Sequence, residues 1–146
     1  MKLSTRSRYG IHAMYDLACQ GPGEPQSIKA IAERQKIPEA YLEQLIGPLR
    51  KSGLVRSVRG AQGGYLLARP PEDITVGEVM RALEGDLNLI DCLSEEDACE
   101  RACSCATRVV WRRVNDGLNQ IVDGITLQDI IDDFEQNRSG KDTDTP

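Results

Sequence analysis

The sequence predicts a mainly α-helical fold, in which short helices are interrupted by one two-stranded hairpin and followed by a long C-terminal helix. Three observations carry that reading. Apolar residues recur every three or four positions through several separate stretches. One pair of apolar segments, LVRSV and YLLA, brackets the glycine-rich run RGAQGG. At 146 residues and 40% hydrophobic content, the chain suffices for one domain, with at most an added oligomerisation arm.

From Ser4 to Cys19 the pattern is helical, with Ile11, Met14, Leu17 and Ala18 on one side, and Cys19 is expected to pack. GPGEP at 21–25 breaks the helix. Ser27 then offers an N-cap to a short helix carrying Ile28, Ile31 and Ala32 at i, i+3 and i+4. QKIP turns the chain, and Pro38 falls in the first turn of the next helix, where a proline is tolerated. There Leu42, Leu45, Ile46 and Leu49 face inward and Gly53 is the stop. Pro48 lies inside this helix, where it removes a hydrogen bond at a cost of roughly 3 kcal/mol or more. A bend or partial break is therefore expected near Gly47, tolerated because the flanking apolar residues pack.

The two short strands follow, joined by residues 59–64, whose glycines permit a mobile tip and whose neighbours Arg56 and Arg59 make it positive. Two helices across a tight turn, then a basic glycine-tipped hairpin, form the layout of a winged helix-turn-helix. Pro70 and Pro71 separate this wing from TVGEVMRALEG, where Thr75 and Glu78 form a capping box and Gly85 closes the helix. CLSEEDACERACSC at 92–105 is polar and aperiodic, hence a loop. After it, Val110, Val114, Leu118, Ile121 and Ile125 mark a long helix whose apolar stripe a monomer has little left to cover, a candidate dimerisation helix. Thr126 and Asp129 start a further helix running to Phe134, and 136–146 reads as a disordered polar tail. The chain thus divides into a DNA-binding region at 1–70 and a region at 71–135 holding a linker helix, the cysteine loop and the dimerisation helix.

The net charge of −5 conceals a division between those regions. Residues 1–70 carry 11 Lys/Arg against 5 Asp/Glu, a balance of +6, while 71–146 carry 7 against 18, a balance of −11. The first half alone is the kind of basic surface that attracts phosphate. No long apolar run spans a membrane, and the amphipathic start MKLSTRSRYG lacks a signal-peptide core, so a cytoplasmic location is expected. With His12 the only histidine, no nucleophile–base pair is visible and no enzyme is expected.

A recognition helix must place side chains on base edges in the major groove. Ala40, Tyr41, Glu43 and Gln44 lie on or near the face opposite the apolar stripe of 38–51. The Gln44 amide can read adenine, and Glu43 can accept from cytosine N4. Arg50, Lys51, Arg56 and Arg59 are placed for phosphates, with Arg59 a candidate for minor-groove insertion. Charge on any one helix is by default a solvated face, and it is the combination with a hairpin that points to double-stranded DNA.

MKLSTRSRYGIHAM, YLEQLIGPLRKSGLVRSVRGAQGGYLLARP and ITVGEVMRALEG closely resemble the bacterial IscR/CymR/NsrR-type winged-helix repressors, and the resemblance runs on through WRRVNDGLNQIVDGITLQDI, covering roughly residues 1–134. It implies a homodimer crossed through the long helix and bound to a roughly palindromic operator. At matching positions Tyr41, Glu43, Gln44 and Arg59 would be DNA contacts. The targets it implies are genes for iron–sulfur assembly, iron or cysteine metabolism.

Cys92, Cys99, Cys103 and Cys105 stand among Glu95, Glu96, Asp97 and Glu100. In a reducing compartment such clustering points to metal or redox chemistry before structural disulfides. Thiolates of this kind hold iron–sulfur clusters. Zinc would accept them too, but C-x-x-C knuckles are missing. A thiol switch is the third reading. The resemblance favours the cluster, 2Fe-2S or 4Fe-4S, because IscR-like members hold one through three cysteines in this loop. Their histidine three residues after the last cysteine is Arg108 here, and the partner aspartate used by NsrR-like members is Arg8. Cys103 or His12 of a partner subunit remain as the fourth ligand. Rival readings are a CymR-like regulator controlled by a protein partner, and a cluster-holding electron-transfer or assembly protein that does not bind DNA.

Overall fold

A computed structural model of the chain describes residues 3–88 and 106–141. Helix α1, Thr5–Cys19, starts at Ser4, whose hydroxyl accepts from the Ser7 amide at 3.2 Å. Helix α2, Ile28–Gln35, is capped by Ser27 in the same way, at 3.1 Å to Ala30 N. It ends on Lys36 in the left-handed conformation, a φ of 55°. Helix α3, Glu39–Lys51, follows directly, with Pro38 at its N-cap and Gly53 just past its end at a φ of 77°.

Leu42, Leu45, Ile46 and Leu49 of α3 are all buried, against Met14 and Leu17 of α1 and Ile31 of α2. Burying each such side chain contributes about 1.5–3 kcal/mol. That packing explains why the break expected near Gly47 does not occur and α3 runs uninterrupted through Pro48. The carbonyl that Pro48 cannot serve belongs to Gln44, on the exposed face, where water can take it.

Strands β1, Val55–Val58, and β2, Gly64–Leu67, pair antiparallel with Val55 opposite Leu67 and Arg56 opposite Leu66. The outer edge of β2 is covered where Gln26 and Tyr65 exchange backbone hydrogen bonds at 2.9 and 2.8 Å. Gly64 is required there: with a φ of 155°, any Cβ would run into the Gln26 backbone. A 3-10 turn, Pro71–Asp73, leads to helix α4, Val76–Glu84, whose Thr75–Glu78 capping box forms in both directions.

Helix α5, Arg108–Asp123, and helix α6, Leu127–Lys141, complete the chain. Thr126 and Asp129 cap α6 reciprocally at 2.9 and 3.0 Å. The helix continues past Phe134, where its end was expected, to Lys141. Glu135, Gln136 and Arg138 are good helix formers, and the Arg138 guanidinium lies 5.9 Å from the Phe134 ring centroid. The disordered tail expected from 136 is thus helical through Lys141 despite its low hydrophobicity, and residues 142–146 lie outside those described.

Two carboxyls give the fold a pH dependence. Burial pushes Glu78 upward, but hydrogen bonds from the Thr75 amide and Arg69 outweigh it and hold the group below its ordinary value. The hydrogen bond from Arg81 does the same for Asp123. Folded pKa values below the unfolded ones mean stability that is complete above about pH 4 and lost as pH falls through the depressed values. The melting temperature should therefore drop between about pH 4 and 2, and Glu78→Gln should flatten part of that slope in a thermal-unfolding series.

Candidate nucleic-acid interface and cysteine segment

The buried faces of α2 and α3 fix which residues of α3 point out. Ala40, Glu43, Gln44, Arg50 and Lys51 are exposed, on the side away from Leu42, Leu45 and Leu49. Tyr41 differs: it is half-buried, its ring meeting Tyr9 edge-on at 5.7 Å between centroids. Its ring is therefore part of the α1–α3 packing.

Arg59 stands exposed at the hairpin tip, beside the turn closed by Gly63 N donating to Gly60 O at 3.0 Å. Arg56 lies elsewhere. It pairs with Leu66 and lines a groove of about 550 Å³ with Leu17, Ala18, Pro22 and Arg69. The two arginines grouped in the sequence thus occupy the tip and the base of the wing. Lys36, in the turn between α2 and α3, and Arg6 and Arg8, one turn or less from Tyr9, are exposed cations that sequence reading passed over. Their basic character was visible; their nearness to α3 depends on the Tyr9–Tyr41 contact.

Cys92, Cys99, Cys103 and Cys105 lie outside the described residues, as do the acidic positions between them. Among the described residues no group of three or more His, Cys, Asp or Glu could hold a metal ion. His12 is exposed on α1, with its ring 6.3 Å from that of Tyr9. Cys19, expected to pack, is instead exposed at the end of α1, where it hydrogen-bonds the Tyr15 hydroxyl and raises its pKa. The helix turns Ala18 and Leu17 inward, which leaves the next position outside.

The described residues on either side of the cysteine segment meet α5. Before it, Asn88 and the Leu87 carbonyl are held by Asn115 and Asn119 of α5. After it, the chain enters α5 at Arg108. Outward from α5 face Val109, Val110, Trp111, Val114 and Ile121, between 42% and 63% exposed.

Two helices locked by a leucine core, an outward face with Gln44 and a basic glycine-tipped wing define a winged helix-turn-helix, DNA-binding class of protein. The chain belongs to the Rrf2 family, described as "Iron-dependent Transcriptional regulator", whose profile matches residues 3–133. It is 44% identical over 133 residues to Protein rrf2 of Nitratidesulfovibrio vulgaris, covering 91% of this chain and 89% of that one. To the regulator CymR of Bacillus subtilis it is 42% identical over 130 residues, 89% of each. Among solved structures it superposes on T. potens IscR with a TM-score of 0.78 at 47% identity, covering 94% of this chain and 90% of that one. CymR, the global cysteine regulator of B. subtilis, gives 0.75 at 40%, covering 89% and 95%. The protein is therefore a DNA-binding transcriptional regulator and not an enzyme. Among the described residues no helix is long and apolar enough to cross a membrane.

Proposed function

We propose that the chain acts as a homodimer on a roughly palindromic operator and senses iron–sulfur status through Cys92, Cys99 and Cys105. Residues 1–70 would bind DNA and 71–135 would sense and dimerise. The observation that carries this reading is the position of the four-thiol segment, immediately ahead of a helix with an uncovered apolar face. The donor set fits: thiolates are the ligands such clusters take. Cys103, or His12 from the second protomer, would complete the set, and the exposure of His12 leaves it available.

When bound, the cluster supplies a centre that oxygen, nitric oxide or iron shortage can remove. The chain's own residues do the rest. Cys92, Cys99 and Cys105 would hold the cluster, α5 would link them to the dimer contact, and Gln44 and Arg59 would meet DNA in a spacing set by that contact. The 42% identity to CymR favours a second reading, a regulator governed by a protein partner whose cysteines act as a thiol or zinc switch.

Anaerobic purification with an absorption spectrum and iron, sulfide and zinc analysis separates the two. Brown protein with iron and sulfide supports the cluster; colourless, iron-free protein with stoichiometric zinc refutes it. Operator binding should fall steeply with salt, by about 10³–10⁵ between 50 and 200 mM for six to ten phosphate contacts. Gln44→Ala should cost about 1–3 kcal/mol at one base position; an equal loss across all operator variants, read by gel shift, would demote Gln44 to a positioning contact.

A further inference from the structure

Helix α5 is two-faced in an unusual sense. Val109, Val110, Trp111, Val114 and Ile121 point outward, while the inward side carries, beside the buried Val122, the polar row Asn115, Asn119 and Asp123, each one helical turn apart. Those three side chains form one connected set with α4. Arg81 donates to both Asp123 carboxylate oxygens, at 2.6 and 2.9 Å, and to the Asn119 amide oxygen at 2.6 Å. Asn119 in turn donates through Nδ2 to the Leu87 carbonyl at 3.2 Å and to the Asn115 carbonyl at 2.8 Å. Asn115, only 8% exposed, donates to the Asn88 side chain at 3.3 Å. Gly77 lets the helices approach, since a Cβ there would collide with the Asp123 carboxylate.

This set sits at a junction. One end grips Leu87 and Asn88, the last described residues before the cysteine segment. The other end grips α4, which packs against both α1 and α3. A polar set of this kind is directional, since hydrogen bonds weaken steeply as their angle closes, whereas apolar packing tolerates sliding. We propose that Asn119 is the positioning residue that couples the start of the cysteine segment to α4, so that a change in the segment alters how α4 sits against α3. This inference rests on the segment being the sensor.

The test uses the full-length dimer, cluster-loaded and cluster-free, with operator affinity measured in each state. In the wild type the ratio of the two affinities is the coupling, which for allosteric proteins is about 5–150-fold. Asn119→Asp keeps an acceptor for Arg81 but loses both donated bonds. It should fold, bind iron and sulfide as the wild type does, and bind DNA, yet its affinity ratio should shrink by about fivefold or move to one. Hydrogen exchange in the cluster-free protein should quicken at 85–88 and stay unchanged in α3.

A uniform loss of affinity in both states with the ratio intact would overturn the proposal, because Asn119 would then be supporting the fold alone. Loss of the cluster from Asn119→Asp would overturn it too, since Asn119 would be holding the ligand segment and not relaying its state. If the wild type itself binds no cluster, the sensor reading fails. The exchange experiment then decides the clasp separately: unchanged rates at 85–88 would refute the Asn119 hold on Leu87.

Discussion

Val114→Glu should leave the chain monomeric and lower its operator affinity by about a thousandfold, the scale that separates specific from non-specific DNA binding. Val109, Val110, Trp111, Val114 and Ile121 all stand exposed on α5, and Ile121 is 63% exposed. Large apolar side chains grouped in this way on one helix mark a protein contact. A carboxylate at its centre would be buried unpaired in a dimer, at a cost of several kcal/mol. The monomer itself should survive, because α5 is held to α4 through Asn119 and Asp123 on a different face. Light scattering would read the mass and fluorescence anisotropy the affinity. The lone Trp111, 42% exposed in one chain, should shift to longer emission wavelength as the dimer separates. A variant that stays dimeric with unaltered DNA affinity would remove α5 from the interface.

Asp16→Ala should cost about 2–3 kcal/mol of folding stability. Asp16 is 2% exposed in the last turn of α1 and accepts three hydrogen bonds: from Arg34 Nε at 2.9 Å, Arg34 Nη2 at 2.7 Å and Gln35 Nε2 at 3.0 Å. Removing one partner of a buried pair costs about 3–5 kcal/mol because the other charge is stranded. Here Arg34 is 36% exposed and also reaches Gln26, so water recovers part of that loss and the lower figure applies. The effect is not confined to stability. Arg34 ends α2, and its bonds set α2 and the Gln26 bridge to β2 against α1, so DNA affinity should fall alongside the melting temperature. Denaturant unfolding reads the first and anisotropy the second; a loss under about 0.5 kcal/mol, typical of a surface substitution, would show the pair to be incidental.

The placement of these groups was unevenly legible. Ser4, Ser27, the Thr75–Glu78 box and the Thr126–Asp129 start act within three or four residues, so sequence alone exposes them. The leucines of α3 follow from helical period. The run through Pro48 did not, because the cost of a missing hydrogen bond competes with packing by residues distant in sequence. Cys19 was misjudged for a related reason: a thiol at the edge of an amphipathic stripe is settled by one helical position, about 100°.

At the site the same division appears. Gln44, Glu43 and Arg59 were found as candidates because a helix with one apolar face must present the other. That Tyr41 would turn half inward to Tyr9, and that Arg56 would leave Arg59 for a groove beside Leu66, are decisions of tertiary contact. So is the Asn115–Asn119–Arg81 set, in which Arg81 stands 38 residues from Asn119 and no motif links them.

What the sequence by itself determined is therefore local and periodic: the caps, the inward faces, the hairpin, the basic and acidic halves and the four thiols in 92–105. Each depends on interactions within a turn or two of chain, or on composition, which folding does not change. Only the tertiary structure decided that α5 turns Asn115 and Asn119 inward and Val109, Val110 and Val114 outward, and that α4 packs against both α5 and α3. Those outcomes depend on contacts between residues far apart in the sequence: Asn119 and Asp123 find Arg81 within hydrogen-bond reach, which fixes the side of α5 that turns inward.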